Sequence, residues 1–177
     1  MGQYYFTVIL DDEGDIVAWM NAFGYEEGVK LMEHSYIDSA FVNTVEFSLS
    51  PEGAYYKSRV VWAGDYADDE QRYYKKNLYG LCNDDESKLI RPDVRSAVKY
   101  RYIVNHTKKQ YVDKSKVQNI HPLPLLTAEG NGRGGGDFHD APDFVGSWAR
   151  DVISVEEALP EEEENFQELA FVFTESE

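Results

Sequence analysis

Five glycines and one arginine fall within seven residues in the third quarter of the chain. The segment and its next residue read Gly130, Asn131, Gly132, Arg133, Gly134, Gly135, Gly136 and Asp137. Several glycine N–H groups can point into one concavity and bind a phosphate, particularly beside a cation such as Arg133. The segment matches neither the P-loop nor the dinucleotide fingerprint. A structural loop whose glycines allow close packing is the open alternative.

Aromatic and basic side chains elsewhere could complete such a site. The chain has 13 tyrosines, nine phenylalanines and three tryptophans. We expect Trp62, Tyr66 or Trp148 to stack on a nucleotide base, because an aromatic ring offers a flat apolar face. His106 and Lys108 lie in a turn between two expected strands, where they could contact phosphate. The alternative for this pair is an ordinary solvated hairpin tip.

Two acidic stretches could bind a divalent cation. Asp65 follows a strand-like run, and Asp68 and Asp69 come just after it. Their spacing matches no calcium loop, so a solvated acidic turn is the favoured interpretation. The second stretch combines Asp137, His139 and Asp140 in the manner of some metal sites, although its order matches no established motif. It supports a metal-dependent hydrolase only as a third hypothesis.

The sequence favours a binding protein over an enzyme. No Gly-x-Ser-x-Gly elbow is present. The single cysteine, Cys82, lies in a polar stretch without a sign of activation, and it excludes an internal disulfide. Carboxylates are so numerous that no acid–base pair stands out. We therefore assign no catalytic residue and expect no cofactor.

Alternating and apolar runs predict a single α+β domain over residues 1–177. We expect a mostly antiparallel sheet of five or six strands, with a few short helices on one side. The candidates for these strands are seven strand-like runs, at residues 4–10, 16–20, 59–63, 100–105, 110–113, 152–155 and part of 166–173, and the clearest helix covers 40–49 with Ser39 as its cap. Residues 71–99 lack a long periodic pattern, which predicts loops with one short helix.

Charge is unevenly distributed along the chain. The net charge is -16, from 33 acidic and 17 basic residues. Residues 1–52 and 156–177 are strongly acidic, whereas residues 53–126 carry an excess of lysine and arginine. The total argues against direct nucleic-acid binding and favours contact with basic protein surfaces, while simple solubility is the plainer interpretation. The first residues lack a signal-peptide pattern, and no apolar run is long enough to cross a bilayer, so we expect a cytoplasmic protein.

Motifs over nearly the whole chain resemble a family of small accessory proteins from gut Firmicutes and their phages and mobile elements. The matching stretches are residues 1–5 (MGQYY), 30–35 (KLMEHS), 61–68 (VWAGDYAD), 105–109 (NHTKK), 121–127 (HPLPLLT), 130–137 (GNGRGGGD) and 145–149 (VGSWA). The family has no assigned activity and supplies no catalytic residues. The resemblance implies a phage accessory gene in a bacterial host, and many such genes antagonise host defence.

Two function hypotheses follow, besides the hydrolase. The first is a non-enzymatic antagonist of host defence that binds a phosphorylated small molecule, such as a nucleotide signal, at the glycine-rich segment. The alternative is an acidic inhibitor of the anti-CRISPR or nucleic-acid-mimic type that covers a basic host protein. The first predicts that Arg133→Ala weakens nucleotide binding, whereas the second predicts a salt-sensitive protein complex.

Overall fold

The computed structural model describes residues 3–73, 75–130, 143–159 and 165–172. The strands are β1 (Tyr5–Leu10), β2 (Ile16–Met20), β3 (Ser58–Gly64), β4 (Tyr102–Asn105), β5 (Gln110–Asp113), β6 (Ala128–Glu129), β7 (Val152–Glu156) and β8 (Gln167–Glu168). The helices are α1 (Leu31–His34), α2 (Ala40–Ser48), α3 (Leu78–Asn83) and α4 (Pro122–Leu126). Three single 3₁₀ turns cover Ala22–Tyr25, Glu86–Lys88 and Lys114–Lys116.

All eight strands form one sheet in the order β2-β1-β3-β7-β4-β5-β8, with β6 also beside β3. Only the pairs β3–β6 and β5–β8 are parallel. The predicted α+β class with a mostly antiparallel sheet is confirmed. The strand number exceeds our expectation, and the one strand without any counterpart among the predicted runs is β6, which has two residues and is too short to leave a pattern in the sequence.

The first hairpin lies at one end of the sheet, with β2 at the edge and β1 next to β3. β1 is buried along its entire length and pairs with β2 on one side and β3 on the other. Its side chains alternate between two cores, with Tyr5 and Ile9 in one and Phe6, Val8 and Leu10 in the other. The apolar run therefore reflects a strand covered on both faces, as the sequence predicted.

Helices cover both faces of this sheet, contrary to the expectation of helices on one side. α2 packs Phe41 and Val45 into the larger core. α3 packs Leu78 and Cys82 into the smaller core on the opposite face. These two residues are four apart and share one face of α3. Their helix has only six residues, so the surrounding polar sequence conceals the pattern.

Side-chain caps mark the starts of α2 and α4. Ser39 accepts a hydrogen bond from the Val42 amide and begins α2, which confirms the predicted cap. His121 does the same for α4 by accepting from the Leu123 amide, and Pro122 occupies the first helical turn. All five residues of α4 are buried.

The second predicted hairpin is confirmed as β4 and β5, and β7 pairs with β4. The expected last strand is much shorter than residues 166–173, because only Gln167 and Glu168 pair with β5. Beyond them Phe171 packs its ring against Phe144, at 4.8 Å between ring centroids. No helix among the described residues is both long enough and apolar enough to span a membrane.

Candidate functional site

Two strands follow each other along one edge of β3 and bring the two flanks of the glycine-rich segment together. β7 pairs with the start of β3, at Ser58 and Arg59, and β6 pairs with its end, at Trp62 and Ala63. The Arg150 amide donates to the Val60 carbonyl between them, at 2.8 Å. Glu129, at the end of β6, and Arg150, just before β7, therefore lie along the same edge of β3.

Arg150 binds two carboxylates at this edge. Its guanidinium donates to both oxygens of Glu129, at 2.8 and 2.5 Å, and lies 2.6 Å from Glu70. Burial opposes the charge of Arg150, but its bonds to Glu129 and Glu70 outweigh burial and raise its pKa above the ordinary value. The residue has a left-handed backbone, with φ 68°, which a non-glycine residue adopts at a cost.

An open cavity of about 460 Å³ lies beside this ion pair. Its charged lining residues are Glu13, Asp68, Asp69, Glu70, Arg72, Glu129 and Arg150, and we call it the acidic groove. Its walls come from the β1–β2 turn, the segment after β3 and the end of β6. Since Glu129 immediately precedes Gly130, the groove lies where the chain enters the glycine-rich segment.

Both guanidiniums in the acidic groove are already bound to carboxylates. Arg150 is bound as described, and Arg72 donates to Asp15 at 2.5 Å and to the Glu13 carbonyl at 3.3 Å. Within the described part of the chain, the carboxylates of Glu13, Asp68 and Asp69 form no ion pair with a lysine or arginine. The groove therefore presents uncompensated negative charge to solvent.

The glycine-rich segment itself lies outside the described residues. This applies to Asn131, Gly132, Arg133, Gly134, Gly135, Gly136 and Asp137, and to His139 and Asp140 of the hydrolase hypothesis. Gly130 is described, and a β-carbon there would lie 2.5 Å from Gln3 Oε1 and 3.0 Å from the Tyr5 hydroxyl. The first glycine of the segment thus packs directly against the start of β1, where a side chain does not fit.

Two of the three expected stacking rings lie in the core. Trp62 and Trp148 have no exposed surface. The Trp62 indole donates to His34 Nε2 at 2.9 Å, and the Trp148 indole donates to Gln110 Oε1 at 2.9 Å. Their buried rings offer no face to a base, which corrects our expectation for both. Tyr66, at 55% exposed, is the one of the three whose ring reaches solvent.

Asp65 is hydrogen-bonded to the backbone of Tyr4, just before β1, and does not line the acidic groove. Its Oδ1 accepts from the Tyr4 amide at 3.0 Å, and its own amide donates to the Tyr4 carbonyl at 2.9 Å. The Asp65 carbonyl also accepts from the Asn77 side chain. Asp65 therefore differs from Asp68 and Asp69, which line the acidic groove. The three carboxylates are not grouped closely enough to share a metal ion.

His106 and Lys108 lie at the predicted hairpin tip but do not offer free charges there. The Lys108 ammonium is 2.5 Å from Asp151, which also accepts from the Asn105 amide group. His106 Nε2 lies 2.8 Å from the Ser154 hydroxyl. Burial, with a smaller contribution from Lys57, lowers the pKa of His106 to about 4. A phosphate contact through this pair does not fit these bonds.

One acidic cluster has oxygens close enough to share a metal. Among the described residues, Asp11, Glu13 and Asp15 bring carboxylate oxygens within 4.8 Å of one another. Asp11 accepts from the backbone amides of Glu13 and Asp15, and Asp15 also binds Arg72. These bonds are those of a tight hairpin turn, and they explain why the three carboxylates lie close together. The turn forms one wall of the acidic groove.

A buried charged triad lies apart from the groove and was missed by sequence reasoning. Glu46 of α2 is completely buried, 2.6 Å from His121 Nε2 and 2.5 Å from the Lys114 ammonium. Burial alone would raise the pKa of Glu46, but its contacts with His121 and Lys114 outweigh burial and lower that pKa. One sequence signal existed, because Glu46 is four residues after Val42 on the apolar face of α2.

The triad has no free catalytic nitrogen. His121 Nδ1 accepts from the Leu123 amide at 3.1 Å, while Nε2 is committed to Glu46. His34 is similarly saturated, with Nδ1 on the Gly28 carbonyl and Nε2 on the Trp62 indole. A general base needs a nitrogen that faces substrate. These two buried histidines therefore support the fold.

No family model, curated protein or solved structure matches this chain.

Proposed function

We propose that this chain is a phage or mobile-element accessory protein that binds a basic protein of its bacterial host through the acidic groove. Antagonism of host defence is the role that this binding would serve. The observation that carries the proposal is the uncompensated negative charge of Glu13, Asp68 and Asp69 in one open groove. Complementary potentials direct the encounter of two proteins and select their partners.

The distribution of ion pairs supports a binding surface that is acidic rather than mixed. Many described cations are held by carboxylates, namely Arg59, Arg72, Lys76, Lys88, Arg95, Lys99, Arg101, Lys108, Lys114, Lys116 and Arg150. Since the chain has 33 acids and 17 bases, this pairing leaves a large acidic excess on the surface. Such a surface attracts basic partners at a distance of several ångströms, and salt weakens that attraction.

The nucleotide hypothesis has less support from the described residues. Carboxylates around the start of the glycine-rich segment repel a phosphate. His106 and Lys108 are occupied, and of the three expected rings Tyr66 alone is exposed. The hypothesis still makes its own prediction, since calorimetry against a nucleotide panel would then show binding that Arg133→Ala weakens. The hydrolase hypothesis, with Asp137, His139 and Asp140, predicts bound metal in elemental analysis.

The direct test compares two triple variants with the same change in charge. In Glu13→Gln/Asp68→Asn/Asp69→Asn the acidic groove loses its uncompensated carboxylates. The matched control, Glu26→Gln/Asp38→Asn/Glu157→Gln, changes acids that do not line the groove. Each protein is immobilised and exposed to host lysate at about 50 mM and about 500 mM salt.

We expect the wild-type chain and the control to capture the same basic protein at low salt and to release it at high salt. The groove variant should retain little of that protein. Equal capture by the groove variant, or a captured partner without a basic surface, would reject the proposal. Nucleotide binding that depends on Arg133, with no captured protein, would favour the small-molecule hypothesis instead.

A further inference from the structure

A second cavity adjoins the acidic groove and differs from it in having an apolar floor. It encloses about 430 Å³, which lies within the size range of ligand pockets. Gly14 and Tyr73 line both cavities, so the two share a wall at the β1–β2 turn. We call it the Trp19 cavity, since the buried side chains of Trp19, Leu78 and Cys82 contribute to its floor.

The rim of the Trp19 cavity carries carboxylates from two segments. Asp15 comes from the β1–β2 turn, and Asp84 and Asp85 follow α3. Their side chains are 37%, 55% and 46% exposed and contact the surface cations Arg72, Lys76 and Lys88. Exposed ion pairs of this kind are weak and exchange readily with another cation.

An apolar floor beneath a carboxylate rim matches a long side chain that ends in a cation. Arginine has such a shape, with an aliphatic stem and a planar head of five N–H donors. The head also stacks on aromatic rings, and Arg72 already lies over the Tyr73 ring at 5.8 Å in the shared wall. A purely apolar ligand would use the floor but not the rim, whereas an incoming guanidinium can replace Arg72, Lys76 or Lys88 on a rim carboxylate.

We propose that the Trp19 cavity receives an arginine side chain of the basic partner protein. Together the two cavities carry eight carboxylates, Glu13, Asp15, Asp68, Asp69, Glu70, Asp84, Asp85 and Glu129, against the lining cations Arg72, Lys88 and Arg150 and against Lys76, which is bound to Asp84. A segment with its anchoring arginine in the cavity therefore places its next basic residue over the acidic groove. This inference rests on the proposed function and specifies the partner's anchoring residue.

The test uses a capped peptide, acetyl-Gly-Arg-Gly-Arg-Gly-amide, with the full-length chain. Matched peptides replace both arginines by citrulline, which keeps the shape and removes the charge, or by lysine. Binding is followed by calorimetry and by the indole N–H resonance of Trp19, assigned with Trp19→Phe. The variants are Asp84→Asn at the cavity rim, Asp69→Asn in the acidic groove and Asp38→Asn as a control outside both.

We expect the arginine peptide to bind and to shift the Trp19 resonance, and the citrulline peptide not to bind. Asp84→Asn should weaken binding by about five- to tenfold, since one charge-assisted contact is lost, and Asp38→Asn should leave it unchanged. The lysine peptide should bind more weakly than the arginine peptide, because an ammonium lacks the planar fork.

Three results would overturn the inference. In the first, Asp69→Asn weakens peptide binding, Asp84→Asn does not, and the peptide does not shift the Trp19 resonance. That result would confine the peptide to the acidic groove and would leave the proposed function standing. The second is equal affinity for the arginine and citrulline peptides. The third is the absence of peptide binding although the basic host protein is captured in a salt-sensitive complex.

Discussion

Arg150 binds both carboxylate oxygens of Glu129, across the 20 residues that separate them in the chain. Glu129 precedes the glycine-rich segment and Arg150 follows it. The pair therefore fixes both ends of residues 130–149 beside the acidic groove. The third member, Glu70, attaches the segment after β3 to the same guanidinium. The groove is thus built around one arginine that is fully engaged in holding its walls.

Removing that guanidinium should destabilise the protein. Arg150→Ala leaves Glu129 and Glu70 facing each other, so we expect a loss of about 1–3 kcal/mol in the free energy of unfolding. The Arg72–Asp15 pair is a suitable control because both side chains are more exposed. For Arg72→Ala we expect less than about 1 kcal/mol. Urea unfolding of both variants measures the difference, and equal losses would contradict the structural role of Arg150.

Glu46 should be far more important to stability than any surface acid. Removing the carboxylate leaves Lys114 and His121 without their buried partner, and the side chains of Glu46 and His121 are 0% and 1% exposed. We expect Glu46→Ala to cost about 3–5 kcal/mol, as for other buried ion pairs that lose one member. Asp38→Asn, at an exposed position, should change stability by less than about 0.5 kcal/mol.

The same carboxyl predicts a pH dependence. The folded protein lowers the pKa of Glu46, so the folded state binds fewer protons than the unfolded state in acid. Its stabilisation is fully present above the unfolded pKa of about 4.3 and is lost as pH falls through the folded pKa. The stability difference between the wild type and Glu46→Gln should therefore shrink below about pH 4. A difference that grows in acid would contradict the assignment.

His106 should titrate well below an ordinary histidine. Burial lowers its pKa to about 4, so the ring stays neutral through the range where the unfolded chain becomes protonated. Stability should therefore decrease as pH falls from about 6.5 toward 4 and then level off with respect to this group. Proton NMR of the His106 ring measures the midpoint directly. A midpoint near 6.5 would show that the ring is solvated rather than packed against Ser154.

Local pattern predicted the elements of this fold better than their arrangement. The run of residues 5–10 is apolar at every position, which predicts a strand buried on both faces, and Ser39 marks the start of α2. In contrast, the two-residue strand β6 leaves no periodic pattern. The six-residue helix α3 lies in a polar stretch, so its position on the opposite face of the sheet could not be inferred.

Predictions for site residues were wrong where the partners of those residues are distant in the sequence. Lys108 looks like a free cation until Asp151, 43 residues later, is placed beside it by β7. Trp62 looks like a stacking ring until His34 and α2 cover it. Asp68 and Asp69 were recognised as an acidic turn, but their approach to Glu13 and Glu129 depends on the pairing of β3 with β1 and β6. Only tertiary structure supplies those relations.

The most direct test of the acidic groove is the affinity of the purified basic partner for three proteins at low and high salt. These are the wild type, the groove variant Glu13→Gln/Asp68→Asn/Asp69→Asn and the control Glu26→Gln/Asp38→Asn/Glu157→Gln. At about 50 mM salt we predict that the groove variant binds at least about tenfold more weakly than the other two, with a smaller dependence on salt. Equal weakening in both triple variants would assign the binding to net charge alone and contradict a role for the groove.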